Sequence, residues 1–175
     1  DGNISSISYP VYNASIETKN EVMARFFAHV GGTLREEGIS VSFDVFGMTC
    51  HSNTGFNIGQ RLTDVYPYTD FISPMVYPSH YEWNFRGLGN PAENPYTIVI
   101  MSLTEGVQLL ETEIAALTAQ AQHKFRPWLQ DFDIGAVYDS YKIQEQIRAA
   151  RDASASGWIM WNARNVYEDG AYYGL

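Results

Sequence analysis

Four short runs along the chain are apolar or alternating, and each closes on polar or aromatic residues: 39–47, 70–81, 125–132 and 157–163. In the first, Val41, Phe43 and Val45 alternate with Ser40, Ser42 and Asp44, the two-residue period of a β-strand. Helical spacing fills the intervals. Residues 16–37 carry Val22, Phe26, Phe27, Val30 and Leu34 on one stripe, with Ser15 predicted as the cap, Glu17 in the first turn and Gly38 as the stop. A shorter pattern over 58–68 is weakened by Pro67. A long one over 95–122 runs through Leu103, Val107, Leu110, Ile114 and Leu117, and 139–155 places Ile143 and Ile147 together.

Helix and strand therefore alternate four times, which predicts parallel strands joined by helical crossovers. Strand parity divides the faces. Val41, Phe43, Val45, Ile72, Val76, Phe125 and Leu129 should meet the helices. Asp44, Ser73, Met75, Tyr77, Arg126, Trp128 and Gln130 should point the other way, where Asp131 has the wrong parity unless its strand bends. Polar residues opposite an apolar, helix-facing side suit a barrel interior or a cleft wall better than an ordinary sheet. The Gly, Asn and Pro-rich stretch 79–95 reads as a long surface loop or lid.

Composition narrows the classes of function. The 175 residues are enough for one globular domain, 1–175, and their twelve Tyr, nine Phe and four Trp can supply core area and also pave a ligand cleft. Eleven Lys and Arg against twenty Asp and Glu leave a net charge of −9, which argues against nucleic acid and against anionic membrane surfaces. A neutral or cationic ligand fits that charge. Cys50 is the single cysteine, so an intrachain disulfide and Cys-rich zinc sites are excluded, and no spacing calls for a metal or an organic cofactor. No apolar run approaches the roughly 20 residues of a membrane span, and the Asp1-Gly2-Asn3 start does not read as a signal peptide. Asn3 and Asn13 stand in glycosylation sequons, a pattern frequent by chance.

Four motifs in order, Phe43-Asp44-Val45-Phe46-Gly47, the 72–81 run from Ile72 to Tyr81, the 126–132 run from Arg126 to Phe132 and the 157–163 run from Gly157 to Ala163, carry a resemblance. They resemble the C-terminal half of a bacterial family described as the putative glycosyl hydrolase domain, long filed as a domain of unknown function. The resemblance covers nearly the whole chain. It implies an α/β fold of the TIM (β/α)8-barrel type with only the C-terminal half present, the four runs being strands five to eight. The family's Asp- and Arg-containing strand motif of the type FDYIRFP, expected just before Asp1-Gly2, is absent. A complete barrel takes about 250 residues. A half-barrel exposes edges and an apolar inner face, so it implies a homo-oligomer or pairing with a missing N-terminal half-barrel. It also favours an extracellular or cell-envelope location.

Barrel sites lie at the C-terminal ends of the strands. There the candidates for carbohydrate chemistry are Asp44 and Asp131 as an acid/base pair, with Tyr77, His80, Tyr81, Gln130, Trp161 and Asn162 as substrate-binding residues. Two carboxyls roughly 5–5.5 Å apart would retain anomeric configuration, and roughly 6.5–9.5 Å apart would invert it. Asp44 is equally readable as a structural hydrogen-bonding Asp, and Gln130 as the residue that faces the cleft in place of Asp131. Tyr77, His80 and Tyr81 can meet sugar C–H faces and hydroxyls, or simply close a loop. Trp128 and Trp158 are open between cleft and core, and Trp83 between a sugar platform and an oligomer contact. His51 and His123 lack metal-ligand spacing, and Ser79 lacks a nucleophile-elbow context. Besides an enzyme, the sequence admits a non-catalytic carbohydrate-binding or assembly module, or an inactive fragment.

Overall fold

The computed structural model describes residues 16–114 and 121–173. The sequons at Asn3 and Asn13, the cap assigned to Ser15, and Leu117 lie outside them. Helix α1 (Lys19–Glu36) begins about a turn later than the sequence pattern suggests. Thr18 and Glu21 close a capping box there: the Thr18 hydroxyl accepts from Glu21 N–H at 3.2 Å, and the Glu21 carboxylate accepts from Thr18 N–H at 2.7 Å. Gly38, at φ +74°, turns the chain away after the Glu37 cap. Then follow β1 (Ser42–Phe46), α2 (Leu62–Val65), β2 (Phe71–Met75), α3 (Pro95–Glu113), β3 (Trp128–Gln130), α4 (Ser140–Asp152) and β4 (Ile159–Trp161). The pattern over 58–68 yields only one turn of α-helix, because Phe56, Asn57 and Gly59 adopt positive φ before it and a 3-10 turn with Pro67 follows.

The four strands form one parallel sheet in the order β1-β2-β3-β4. β1 and β2 pair along their whole length, from Ser42 opposite Phe71 to Phe46 opposite Met75. β2 and β3 meet at Met75 and Trp128 and then part. The Gln146 side chain of α4 fills the gap, accepting from Gln130 N–H at 2.9 Å and donating to Gln130 C=O at 2.8 Å. It stands in for a strand neighbour.

Parity holds as the sequence implies. Val45, Ile72 and Leu129 are buried against Phe27 of α1, Val99 and Leu103 of α3, and Ile143 and Ile147 of α4. Each such side chain contributes about 1.5–3 kcal/mol by leaving water. The opposite face is open at its outer strands among the described residues: Ser42 and Asp44 are exposed, and Phe46 and Trp161 keep 40% and 43% of their surface, while Ser73 and Gln130 between them are fully buried. Gly47 ends β1 where a Cβ would strike the Met75 carbonyl, so β1 and β2 deliver their C-terminal ends side by side.

Candidate functional site

Asp44 projects from the uncovered face of β1, and its Oδ1 accepts a hydrogen bond from the Trp128 indole N–H at 2.9 Å. The indole reaches across β2 to do so, since β2 lies between β1 and β3. Trp128 in turn meets Trp161 edge to face, with centroids 5.8 Å apart at 89°. Asp44, Trp128 and Trp161 thus form a polar-to-aromatic band across the sheet. The shared parity of Trp128 and Gln130 was the signal for this placement.

The turn after β2 supplies a second wall. Tyr77, His80 and Phe132 cluster with ring centroids 5.2, 5.6 and 5.9 Å apart. Burial pushes the Tyr77 phenol up, and the nearby Asp44 charge pushes it further, so Tyr77 stays a protonated donor. Burial lowers the His80 pKa, which keeps its imidazole neutral at neutral pH. Gln130 does not offer its amide to the cleft. It splices the two loops instead, accepting from Ser79 N–H at 3.1 Å and donating to Phe132 C=O at 2.8 Å. His80, Phe132, Ile134, Trp161, Asn162 and Arg164 border a cleft of about 520 Å³.

Asn162 shapes the rim of that cleft. Its amide donates to the Asp131 and Val166 carbonyls and accepts from Arg164 N–H at 2.9 Å. Asp131 itself is turned from Asp44. It is 4% exposed, and its Oδ2 accepts from the Tyr172 hydroxyl at 2.5 Å and from Glu168 N–H at 3.1 Å. Tyr172 packs on the helix-side core, so Asp131 follows its parity and the strand does not bend to bring it round. Tyr81 is likewise out of the cleft: it is as buried as Tyr77, both at 6% exposure, but it packs on Phe85 and its hydroxyl lies 2.8 Å from Ser102 Oγ of α3. Ser102 Oγ lies 3.0 Å from His51 Nε2, whose Nδ1 donates to Glu105 at 2.8 Å. Arg86 donates to the same carboxylate at 2.9 Å.

Of the eight sequence candidates, His80 and Trp161 border the cleft, while Asp44 reaches it through the Trp128–Trp161 contact and Tyr77 through its ring contact with His80. Gln130 and Asn162 fix the loops around them, and Asp131 and Tyr81 lie behind. Phe132, which completes the aromatic wall, gave no sequence signal beyond its place after the third strand. Among the described residues, no group of three or more His, Cys, Asp or Glu side chains could hold a metal ion, and no helix is long and apolar enough to cross a membrane.

Among solved structures, the chain is similar to the PgaB (BpsB) glycoside hydrolase domain from Bordetella bronchiseptica, at a TM-score of 0.57 and 15% identity, covering 82% of this chain and 37% of that one. It is also similar to the spore cortex-lytic enzyme SleL from Bacillus megaterium QM B1551, at a TM-score of 0.58 and 12% identity, covering 87% and 44%. At such identities the likeness establishes the fold, and the chain spans less than half the length of either structure. No curated protein sequence matches it. A family model does match, over residues 1–167, and the chain accordingly belongs to the family described as the putative glycosyl hydrolase domain.

Proposed function

We propose that this chain is strands five to eight of a glycoside hydrolase (β/α)8 barrel and binds carbohydrate at their C-terminal ends. The observation that carries this reading is Asp44: a carboxylate oriented by an indole N–H on an uncovered sheet face, beside a wall of aromatic rings. Aromatic faces meet sugar C–H surfaces, while Tyr77 donates and neutral His80 can donate or accept toward hydroxyls. Trp128 occupies Asp44 Oδ1, which leaves Oδ2 as the oxygen directed to ligand. Glycoside hydrolysis usually takes two carboxyls flanking the bond. With Asp131 committed to Tyr172 and Glu168, the second comes from the other half of the barrel. Asp131 then serves as a positioning residue that holds the rim after β4.

The chain by itself is therefore a binding module, and it hydrolyses only when completed. Strand order equal to chain order, helices on one face, and coverage of 37% and 44% of the solved relatives support the half-barrel reading. The uncovered face and the outer edges of β1 and β4 are where an N-terminal half-barrel or a second copy would pack. A sharply monomeric species in light scattering with a cooperative melt would count against that packing.

Calorimetric titration with four hexasaccharides tests the site: cellohexaose, chitohexaose, the glucosamine hexamer and hexagalacturonate. The net charge of −9 favours the neutral and cationic members over the anionic one. Asp44→Asn and Tyr77→Ala should each weaken binding about tenfold or more, the effect of losing a hydrogen bond to a charged group or an aromatic contact. No saturable binding to any of the four would overturn the carbohydrate reading.

A further inference from the structure

We infer that Trp83 is the platform of an outer sugar subsite, presented by a rigid loop beyond the Tyr77–His80 wall; this rests on the carbohydrate reading above. Trp83 is 75% exposed, although its neighbours two residues away on either side, Tyr81 and Phe85, are buried at 6% and 8%. Those two rings pack on each other at 5.0 Å and on Ile98 of α3. The indole is therefore held out between two anchors.

The loop is tied at several points, and Trp83 is not one of them. Asn84 and Gly89 close it, with Asn84 N–H donating to Gly89 C=O at 2.6 Å and Gly89 N–H to the Asn84 side chain at 3.3 Å. Asn94 donates to Leu88 and Asn90 carbonyls at 3.1 and 2.9 Å, and Arg86 binds Glu105 at 2.9 Å. Asn84 and Arg86 sit at φ +62° and +53°, a region side-chain-bearing residues rarely occupy. Such strain persists only where surrounding contacts over-determine it, and it concentrates at ligand clamps. These ties hold the loop, and none uses Trp83. A rigid, exposed indole gives a stacking surface whose ordering has already been achieved before ligand arrives.

Position names the occupant. The loop follows directly from His80, which ends the turn after β2 and borders the cleft. Three peptide units separate His80 from Trp83, so their Cα atoms lie within roughly 11 Å, a span that a short oligosaccharide covers. Trp83 would take the apolar face of a pyranose ring remote from Asp44, so it should matter for long ligands and not for short ones.

The test is titration of Trp83→Ala and Trp83→Phe, in the unaltered chain, with whichever hexasaccharide of the four binds best and with its disaccharide. An unchanged melting temperature, expected for so exposed a side chain, establishes that the variants fold. The expected result is about tenfold weaker hexasaccharide binding by Trp83→Ala, near-complete rescue by Trp83→Phe, and unchanged disaccharide binding. Wild-type binding to a hexasaccharide that Trp83→Ala leaves intact would overturn this inference while the site at Asp44 stands. A fall from dimer to monomer in Trp83→Ala, without loss of binding, would overturn it in favour of a contact between copies. Failure of the wild type to bind any hexasaccharide would remove both readings together.

Discussion

Gln146 holds the sheet where β2 and β3 separate, and its replacement should expose how much that clamp contributes. Along β3, Trp128 C=O still receives the N–H of Val76, just past β2, and Asp131 N–H reaches Trp161 on β4. Gln130 N–H and C=O point to the β2 side, where no strand continues, and meet the Gln146 amide at 2.9 and 2.8 Å. Both glutamines are fully buried. Gln146→Leu keeps the volume but leaves one backbone donor and one acceptor without partners. At about 1–3 kcal/mol for each buried unsatisfied group, the loss is about 2–6 kcal/mol, a large part of the roughly 5–15 kcal/mol that holds an ordinary domain together. Urea unfolding followed by tryptophan fluorescence should show a lowered midpoint with an unchanged slope. Gln146→Glu adds a sign test. Only the protonated carboxyl can both donate to Gln130 C=O and accept from Gln130 N–H, so burial and this bond raise its native pKa above the unfolded value of about 4.3. The native state then holds more protons than the unfolded one, and stability falls as pH rises from about 4.3 through the raised value. The deficit against wild type should be small at pH 4 and large at pH 7. A loss below about 1 kcal/mol in Gln146→Leu, or a pH-independent deficit in Gln146→Glu, would refute the clamp.

Two further outcomes follow from close packing around the site. Gly47→Ala should destabilise by about 1–3 kcal/mol, because its Cβ meets the Met75 backbone carbonyl and a strand end has to move; thermal melts and the hexasaccharide titration should both register it. Burial lowers the His51 pKa against the opposing pull of Glu105, with Arg86 lowering it further, while Tyr81 and Ser102 border the ring. Its native pKa is depressed below the unfolded value of about 6.5, so its contribution is full above that value and lost as pH falls through it toward the native one. His51→Gln retains a donor for Glu105 and an acceptor for Ser102, and should flatten the melting temperature between pH 8 and 5. A wild-type curve already flat across that window would contradict the burial argument.

What the sequence conveyed most fully was the division of the first three strands into two faces, because a two-residue period is a local property and one slip would expose the whole core. Val45, Ile72 and Leu129 went inward, and Asp44 and Trp128 outward, as their parity required. Asp131 is the instructive residue. Parity set it on the helix side, while the pairing with Asp44 asked it to turn; the structure keeps it where parity puts it, because Tyr172 and Glu168 return from the last turns to satisfy its carboxylate. Those partners lie about forty residues away along the chain, and no local pattern announces them. The same holds for Tyr81, whose place at the end of a strand-like run suggested the cleft. Ser102 and Ile98, presented by a helix that begins at Pro95, cover it instead. Residues at strand ends are thus sorted into cleft and core by which distant side chains reach back to them. On this chain, an acceptor or donor already satisfied from the helix side removes a candidate from the cleft, and that criterion leaves Asp44, Tyr77, His80 and Trp161 as the proposed ligand contacts.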